Sequence, residues 1–70
     1  MTKMAKMVEI GEIIETADYG TCEVVGKENA TRGGAPLVVL TAKDFGNGYF
    51  AELILDPNEA VEMADRKSVV

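Results

Sequence analysis

Residues 43–53, with the sequence KDFGNGYFAEL, contain three patterns that accompany chemistry in other proteins. The DFG triplet at 44–46 holds magnesium in protein kinases, Gly-x-Gly can cradle a phosphate, and aromatics beside glycines occur in RNA-binding strands. A kinase also needs a glycine-rich loop, a lysine strand and a catalytic loop, and the sequence contains none of that set. Asn-Gly between apolar runs is a strong hairpin signal, so a tight turn explains the glycines.

The remaining nucleophiles and acids do not form a catalytic pattern. Cys22 has no histidine to activate it, because the chain contains none, and we expect it to be a buried small residue. One cysteine without histidine also excludes a zinc site of the usual ligands. Glu9, Glu12 and Glu15 alternate with apolar residues as a solvated face would. The sequence therefore predicts no catalytic residue, no metal, no cofactor and no enzymatic activity.

The stretch at 26–35 is the longest polar, glycine-bearing segment and predicts a loop of ten residues. Lys27, Arg32, Gly33 and Gly34 are its candidate ligand-binding residues, since a guanidinium and backbone amides together can hold an anion. The plainer interpretation is a flexible connection with solvated charges. A ligand role becomes credible if oligomer symmetry brings two such loops together.

The elements that must position these residues are predicted as an α+β fold: a four-stranded antiparallel sheet of two hairpins, with one C-terminal helix packed on one face. Gly11 and the β-branched residues favour a strand over a short helix at 7–16. The whole chain is one domain, 1–70, with a frayed start at 1–6 and a core at 7–67. The other predicted segments are a turn at 18–20, a strand at 21–25, a continuously apolar strand at 36–42 and a fourth strand ending at Leu55.

The helix is predicted from its first turn. Asp56 would be the N-cap, Pro57 would take the first helical position and Glu59 the third, which completes a capping box. Losing this cap would cost about 1 kcal/mol. The helix would run to about Lys67 and cover the purer apolar face of the sheet, here called face one. Face one consists of Val38, Leu40, Ala42, Ala51, Leu53 and Leu55.

The turn after the third strand fixes the pairing of the last hairpin. A turn at Asn47-Gly48 would place Phe45 opposite Phe50 and Lys43 opposite Glu52, both favourable cross-strand pairs. A turn at Gly46-Asn47 would shift the register without exchanging the faces. The second face is then left without a helix, and an exposed apolar patch of this kind indicates an interface. The predicted interface residues are Val39, Phe45, Tyr49, Phe50, Glu52 and Ile54.

Composition limits the function classes. A chain of 70 residues buries only about 60% of its unfolded surface, so we expect it to be reinforced by forming a homodimer or larger oligomer. Its net charge is −5, with the acids spread through both halves, so we expect no nucleic-acid partner. The apolar runs are too short to span a membrane, and the single cysteine suggests a reducing compartment, so we expect a cytoplasmic protein with no membrane partner.

The function that these observations favour is a small acidic, non-enzymatic protein-binding module that acts as an inhibitor or adaptor. Its partners would be itself and another protein with a basic surface, toward which its acids would steer it. Phage inhibitors of host defence are similar in size and charge only. The alternative is a homo-oligomer that holds a small anionic ligand, such as a nucleotide, between subunits through the loop that carries Arg32.

Overall fold

The computed structural model describes residues 1–64, and within that range it contains a single antiparallel sheet and no α-helix. A 3-10 turn at Ala5–Met7 follows the first strand. Across the sheet the strands lie in the order β1-β6-β2-β3-β4-β5, which leaves β1 and β5 at the edges. The predicted four-stranded α+β fold is therefore wrong. The six strands are β1 (Thr2–Met4), β2 (Ile13–Thr16), β3 (Gly20–Arg32), β4 (Ala35–Asp44), β5 (Phe50–Leu55) and β6 (Ala60–Met63).

Face one is confirmed as the core side of β4 and β5. Its members on β4 are buried, and Leu53 and Leu55 on β5 pack against them while staying half-exposed. The cover is not a helix, because residues from the 3-10 turn, β2, β3 and β6 complete the same cluster. Because five of the six strands, all except β1, contribute to one core, the sheet must curve around it. The buried residues are Ala5, Val8, Ile14, Cys22, Val24, Val38, Leu40, Ala42 and Val61.

The predicted C-terminal helix is replaced, as far as residue 64, by a turn and strand β6. Only half of the predicted capping box forms: the Asp56 N–H donates to Glu59 Oε1 at 3.3 Å, but Asp56 Oδ1 accepts from the Asn58 N–H at 2.9 Å rather than from the Glu59 N–H. The same residues also suit a β-turn, with Asp at its first position and Pro at its second. Pairing of β6 with both β1 and β2 then decides in favour of a strand. Residues 65–67 of the predicted helix lie outside the described residues.

The β4–β5 hairpin has a register different from the one expected for a turn at Asn47-Gly48. Lys43 lies opposite Phe50 and Thr41 opposite Glu52, so the predicted Phe45–Phe50 and Lys43–Glu52 pairs are wrong. The observed register is that of the Gly46-Asn47 alternative. Side-chain acceptors stabilise the longer loop at 45–48: Gly46 N–H donates to Asp44 Oδ1 at 2.6 Å, and Tyr49 N–H to Asn47 Oδ1 at 2.9 Å.

The predicted loop at 26–35 is the distal half of a long hairpin instead. Strand β3 runs to Arg32, strand β4 begins at Ala35, and these two residues face each other across the turn. Gly33 and Gly34 alone form the connection, with φ values of 58° and 82°. Two consecutive positive φ values define the type I′ turn, whose twist matches that of the strands. A register shift between Val24 and Gly26 accommodates one extra residue on β3.

The amino-terminal third is partly as expected. Thr2–Met4, within the segment predicted to fray, is strand β1 and pairs with β6. The strand predicted at 7–16 is confined to Ile13–Thr16, because the chain turns at Gly11, whose φ is 99°. The predicted turn at 18–20 is displaced by one residue, since Gly20 already pairs with Thr16.

Candidate functional site

The sheet extends into an exposed structure at the end of the β3–β4 hairpin, residues 30–37, here called the arm. Strand β5 pairs with β4 only as far as Val38, and β2 pairs with β3 only from Gly20 to Glu23. Within residues 1–64 the arm therefore has no strand beside it. Beyond Val38 each of the two strands contributes three residues, 30–32 on β3 and 35–37 on β4, and these extend about 10 Å at the usual strand rise. A two-stranded ribbon without neighbours is only marginally stable, so the arm is suited to adapt to a partner.

The arm differs in charge from the rest of the chain. Residues 29–43 contain no acid and two basic residues, Arg32 and Lys43, whereas the chain as a whole has a net charge of −5. The remainder therefore carries −7, which is −5 less the +2 of this stretch. Arg32 lies at the tip, beside the Gly33-Gly34 turn, and all three residues are exposed. The sheet thus presents one guanidinium and bare backbone at the end of an uncharged ribbon.

The four residues predicted to bind a small anion are not brought together in one chain. Lys27 is five positions before Arg32 on the same strand, a separation of about 16 Å. Its ammonium donates a hydrogen bond of 2.8 Å to the backbone oxygen of Lys6 at the base of the arm. Gly33 and Gly34 do accompany Arg32 at the tip. Whether a second copy completes such a site stays a prediction.

The predicted interface residues lie around the last hairpin. Val39 and Ile54 are cross-strand partners on the outer face, which here means the β4–β5 side chains that point away from the core. Phe50 and Glu52 lie on the same face. The exposed fractions are 55% for Phe45, 74% for Tyr49, 65% for Phe50 and 52% for Ile54, so each of these four side chains is exposed.

Two of the predicted interface residues do not join that face directly. Phe45 lies in the loop, where its N–H donates to the Thr21 oxygen at 3.3 Å. Tyr49 immediately precedes β5, so by strand alternation its side chain has the opposite parity from Phe50. The exposed outer face is thus formed by Lys43, Phe50, Glu52 and Ile54, with Lys43 opposite Phe50 and Val39 half-buried beside Ile54.

The potentially reactive groups are held in structural roles. Burial, and secondarily the nearby Asp44 carboxylate, raises the pKa of the Cys22 thiol above its ordinary value of 9.0. Lys3 Nζ and Glu12 Oε2 form an ion pair at 2.6 Å. No group of three or more potential metal ligands occurs within the described residues. Nor does any helix among residues 1–64 have the length and apolarity to cross a membrane.

Comparison with known proteins identifies the fold and no family. No protein-family model matches the chain, and no curated protein matches its sequence. Solved structures do match, among them a translation initiation factor eIF-5A family protein from Naegleria fowleri, with a TM-score of 0.77 at 13% sequence identity. The alignment covers 93% of this chain and 46% of that one, so the chain spans about half the length of this neighbour. At this identity the likeness establishes a shared fold.

Sequence reasoning missed the arm, although two signals were present. Gly-Gly between two extendable segments is itself a hairpin signal. The absence of acids from 29–43 separates this stretch from the rest of an acidic chain. The polar composition of residues 26–32 predicted a loop in spite of these two signals. A strand pair that is exposed on both faces does not show the apolar alternation by which strands are predicted.

Proposed function

We propose that this chain is a non-enzymatic binding module that works in translation and contacts RNA through the tip of its arm. The proposal rests on the arm, which is an exposed hairpin without acidic residues and with Arg32 at its tip. The rest of the chain, here called the body, is acidic. The fold it shares with a translation initiation factor family protein supports the choice of translation as the setting. RNA is the polyanion that a lone guanidinium and exposed backbone amides would meet there.

The separation of charge supports a directed contact rather than general RNA affinity. A surface that carries −7 outside residues 29–43 is repelled by phosphates, so the body does not coat RNA unspecifically. The same field favours approach through the arm, because residues 30–37 carry +1 through Arg32 while the rest of the chain carries −6, which is −5 less this +1. This modifies the expectation of no nucleic-acid partner, which rested on the charge of the whole chain.

The contact would be weak and sensitive to salt. One phosphate contact gives a salt slope near −0.7 to −0.9, and a charge-assisted hydrogen bond contributes about 2 kcal/mol. Asn29 and Thr31 lie near the tip and add neutral hydrogen-bonding groups. The chain outside the arm would add affinity only if a partner also bound the outer face of β4 and β5.

Replacing Arg32 by Ala tests the proposal. We expect binding to a fluorescein-labelled RNA stem–loop, followed by fluorescence anisotropy at low salt, to weaken about thirtyfold and the salt slope to fall by about 1. Arg32→Lys should retain part of the affinity, since it keeps the charge. Lys43→Ala is the matched control, because it removes a cation from the acid-free stretch but not from the arm, and should change little. Equal affinity for wild type and Arg32→Ala, or no wild-type binding, would contradict the proposal.

The outer face favours a second function, the inhibitor or adaptor role expected from the sequence. Phe50 and Ile54 are exposed between the acidic Glu52 and the basic Lys43, an arrangement that suits a protein with an apolar pocket and charged groups, some of them basic, around it. Phe50→Asp is the discriminating variant. It should abolish binding of such a purified partner while leaving RNA affinity within about twofold, since the arm is unchanged. Loss of both would assign recognition of both ligands to the outer face, and undiminished binding of the protein partner would contradict the second function.

A further inference from the structure

The open edge of the sheet at β5 is a second unused surface, independent of the arm. On one side β5 pairs with β4, from the pair formed by Lys43 and Phe50 to the pair formed by Val38 and Leu55. On the other side no strand pairs with it within residues 1–64. Apart from the β4–β5 ladder, no backbone hydrogen bond within residues 1–64 involves Phe50–Leu55. The outward N–H and C=O groups of β5 are thus available to another strand.

The register identifies these groups. Asp44 and Tyr49 form a hydrogen-bonded pair, with the Asp44 N–H donating to the Tyr49 oxygen at 2.8 Å. Hydrogen-bonded and non-hydrogen-bonded pairs alternate along an antiparallel ladder. Ala51, Leu53 and Leu55 therefore direct their backbone groups to β4. The residues that direct theirs to the open edge are Phe50, Glu52 and Ile54.

Strand β5 lacks most of the features that protect edge strands. Natural edges are usually blocked by proline, lysine, bulges or very short strands. The β5 sequence FAELIL has six residues, no proline or glycine and one charge, Glu52. Its core-side residues Leu53 and Leu55 are only half-buried, whereas Val38 and Leu40 on β4 are buried. An additional strand at this edge would complete the cover of the core.

We propose that this edge takes β5 of a second copy of the chain, paired antiparallel across a two-fold axis at Leu53. In this register Leu53 faces its own copy, Ala51 faces Leu55, and Glu52 faces Ile54. About four backbone hydrogen bonds form, from the outward groups of Glu52 and Ile54 in each copy. The register displaced by one pair is less favourable, because Glu52 would face Glu52 and like charges directly opposite destabilise a sheet.

This pairing has two consequences for the assembled molecule. The two β4 strands run in opposite directions, so the two arms point away from each other and both remain accessible. The axis is perpendicular to the sheet, so the outer faces of the two copies lie on the same side and form one continuous surface, which carries Phe50 and Ile54 of both copies. The dimer goes beyond the proposed RNA contact and does not depend on it.

Proline at position 52 provides a selective test. Because the Glu52 N–H points to the open edge, Glu52→Pro removes a dimer hydrogen bond without removing one to β4, and proline is tolerated at such positions. Sedimentation velocity over a concentration series should show the wild type rising from one chain of 7.5 kDa toward two. Glu52→Pro should remain at one chain throughout. Glu52→Gln, the matched control with an intact N–H, should associate at least as well as wild type.

Cysteine cross-linking tests the register and does not depend on proline being tolerated. Leu53→Cys places two thiols at the axis in a non-hydrogen-bonded pair, whose spacing of about 4.5 Å between Cα atoms suits a disulfide. Mild oxidation should give a dimer band on a non-reducing gel. Phe50→Cys is the control, since it lies far from its own copy, and should give none. A wild type that stays one chain at every concentration, a dimer unaffected by Glu52→Pro, or cross-linking at position 50 but not 53 would each overturn the proposal.

Discussion

At the scale of single residues, Cys22 shows how burial decides chemistry. Its side chain is fully buried in the core, and its thiol lies near the backbone oxygens of Tyr19 and Gly20. The sequence predicted this, because a lone cysteine without a base is most often a small core residue. Arg32 is the opposite case: its identity suggested an anion contact, but only the turn at Gly33-Gly34 shows that it stands at a tip.

We expect the Cys22 thiol to be inert toward a thiol-specific reagent in the folded protein at neutral pH, because burial and the neighbouring Asp44 raise its pKa. A raised pKa also means that the folded state retains this proton longer than the unfolded state does. Stability should therefore be unaffected below pH 9 and should fall as the pH rises above 9.0, the ordinary thiol value. Titration with the reagent, with and without denaturant, checks the first expectation. Rapid labelling of native protein would contradict it.

At the scale of elements, the apolar strand and face one were predictable, because they depend on local patterns. Val38, Leu40 and Ala42 alternate along β4 and are buried as the pattern indicates. The segment after Asp56 was not predictable in this way. Its first four residues suit a helix cap and a β-turn equally, and β6 is selected by strands distant in sequence, β1 and β2. Tertiary pairing of this kind overrides local propensity.

We expect Asp56→Ala to lower the free energy of unfolding by about 1 kcal/mol, because the Asn58 N–H loses its side-chain acceptor in the turn that leads into β6. Asp56→Asn is the matched control, since its amide oxygen can accept the same hydrogen bond, and it should retain most of the stability. Urea denaturation followed by far-UV circular dichroism measures both. If Asp56→Ala were as stable as wild type, the turn would not depend on this contact.

At the scale of the whole molecule, the acidic residues are distributed unevenly over an elongated chain, and the net charge alone does not show this. The chain measures 43 × 24 × 19 Å along its principal axes, and its longest element is the β3–β4 hairpin. The net charge of −5 predicted repulsion from nucleic acid, but the acids are absent from the distal part of that hairpin. The candidate site is therefore a property of the fold, which brings an uncharged ribbon and one arginine to an extremity.

The measurement that tests the central claim most directly is an NMR titration of uniformly ¹⁵N-labelled protein with the RNA stem–loop. We predict that the backbone amide shifts change chiefly in the arm, at residues 30–37, and that those of the outer face on β4 and β5 stay unchanged. The largest changes should fall at Arg32, Gly33 and Gly34. Changes centred on Phe50 and Ile54, or no change anywhere at low salt, would contradict the account.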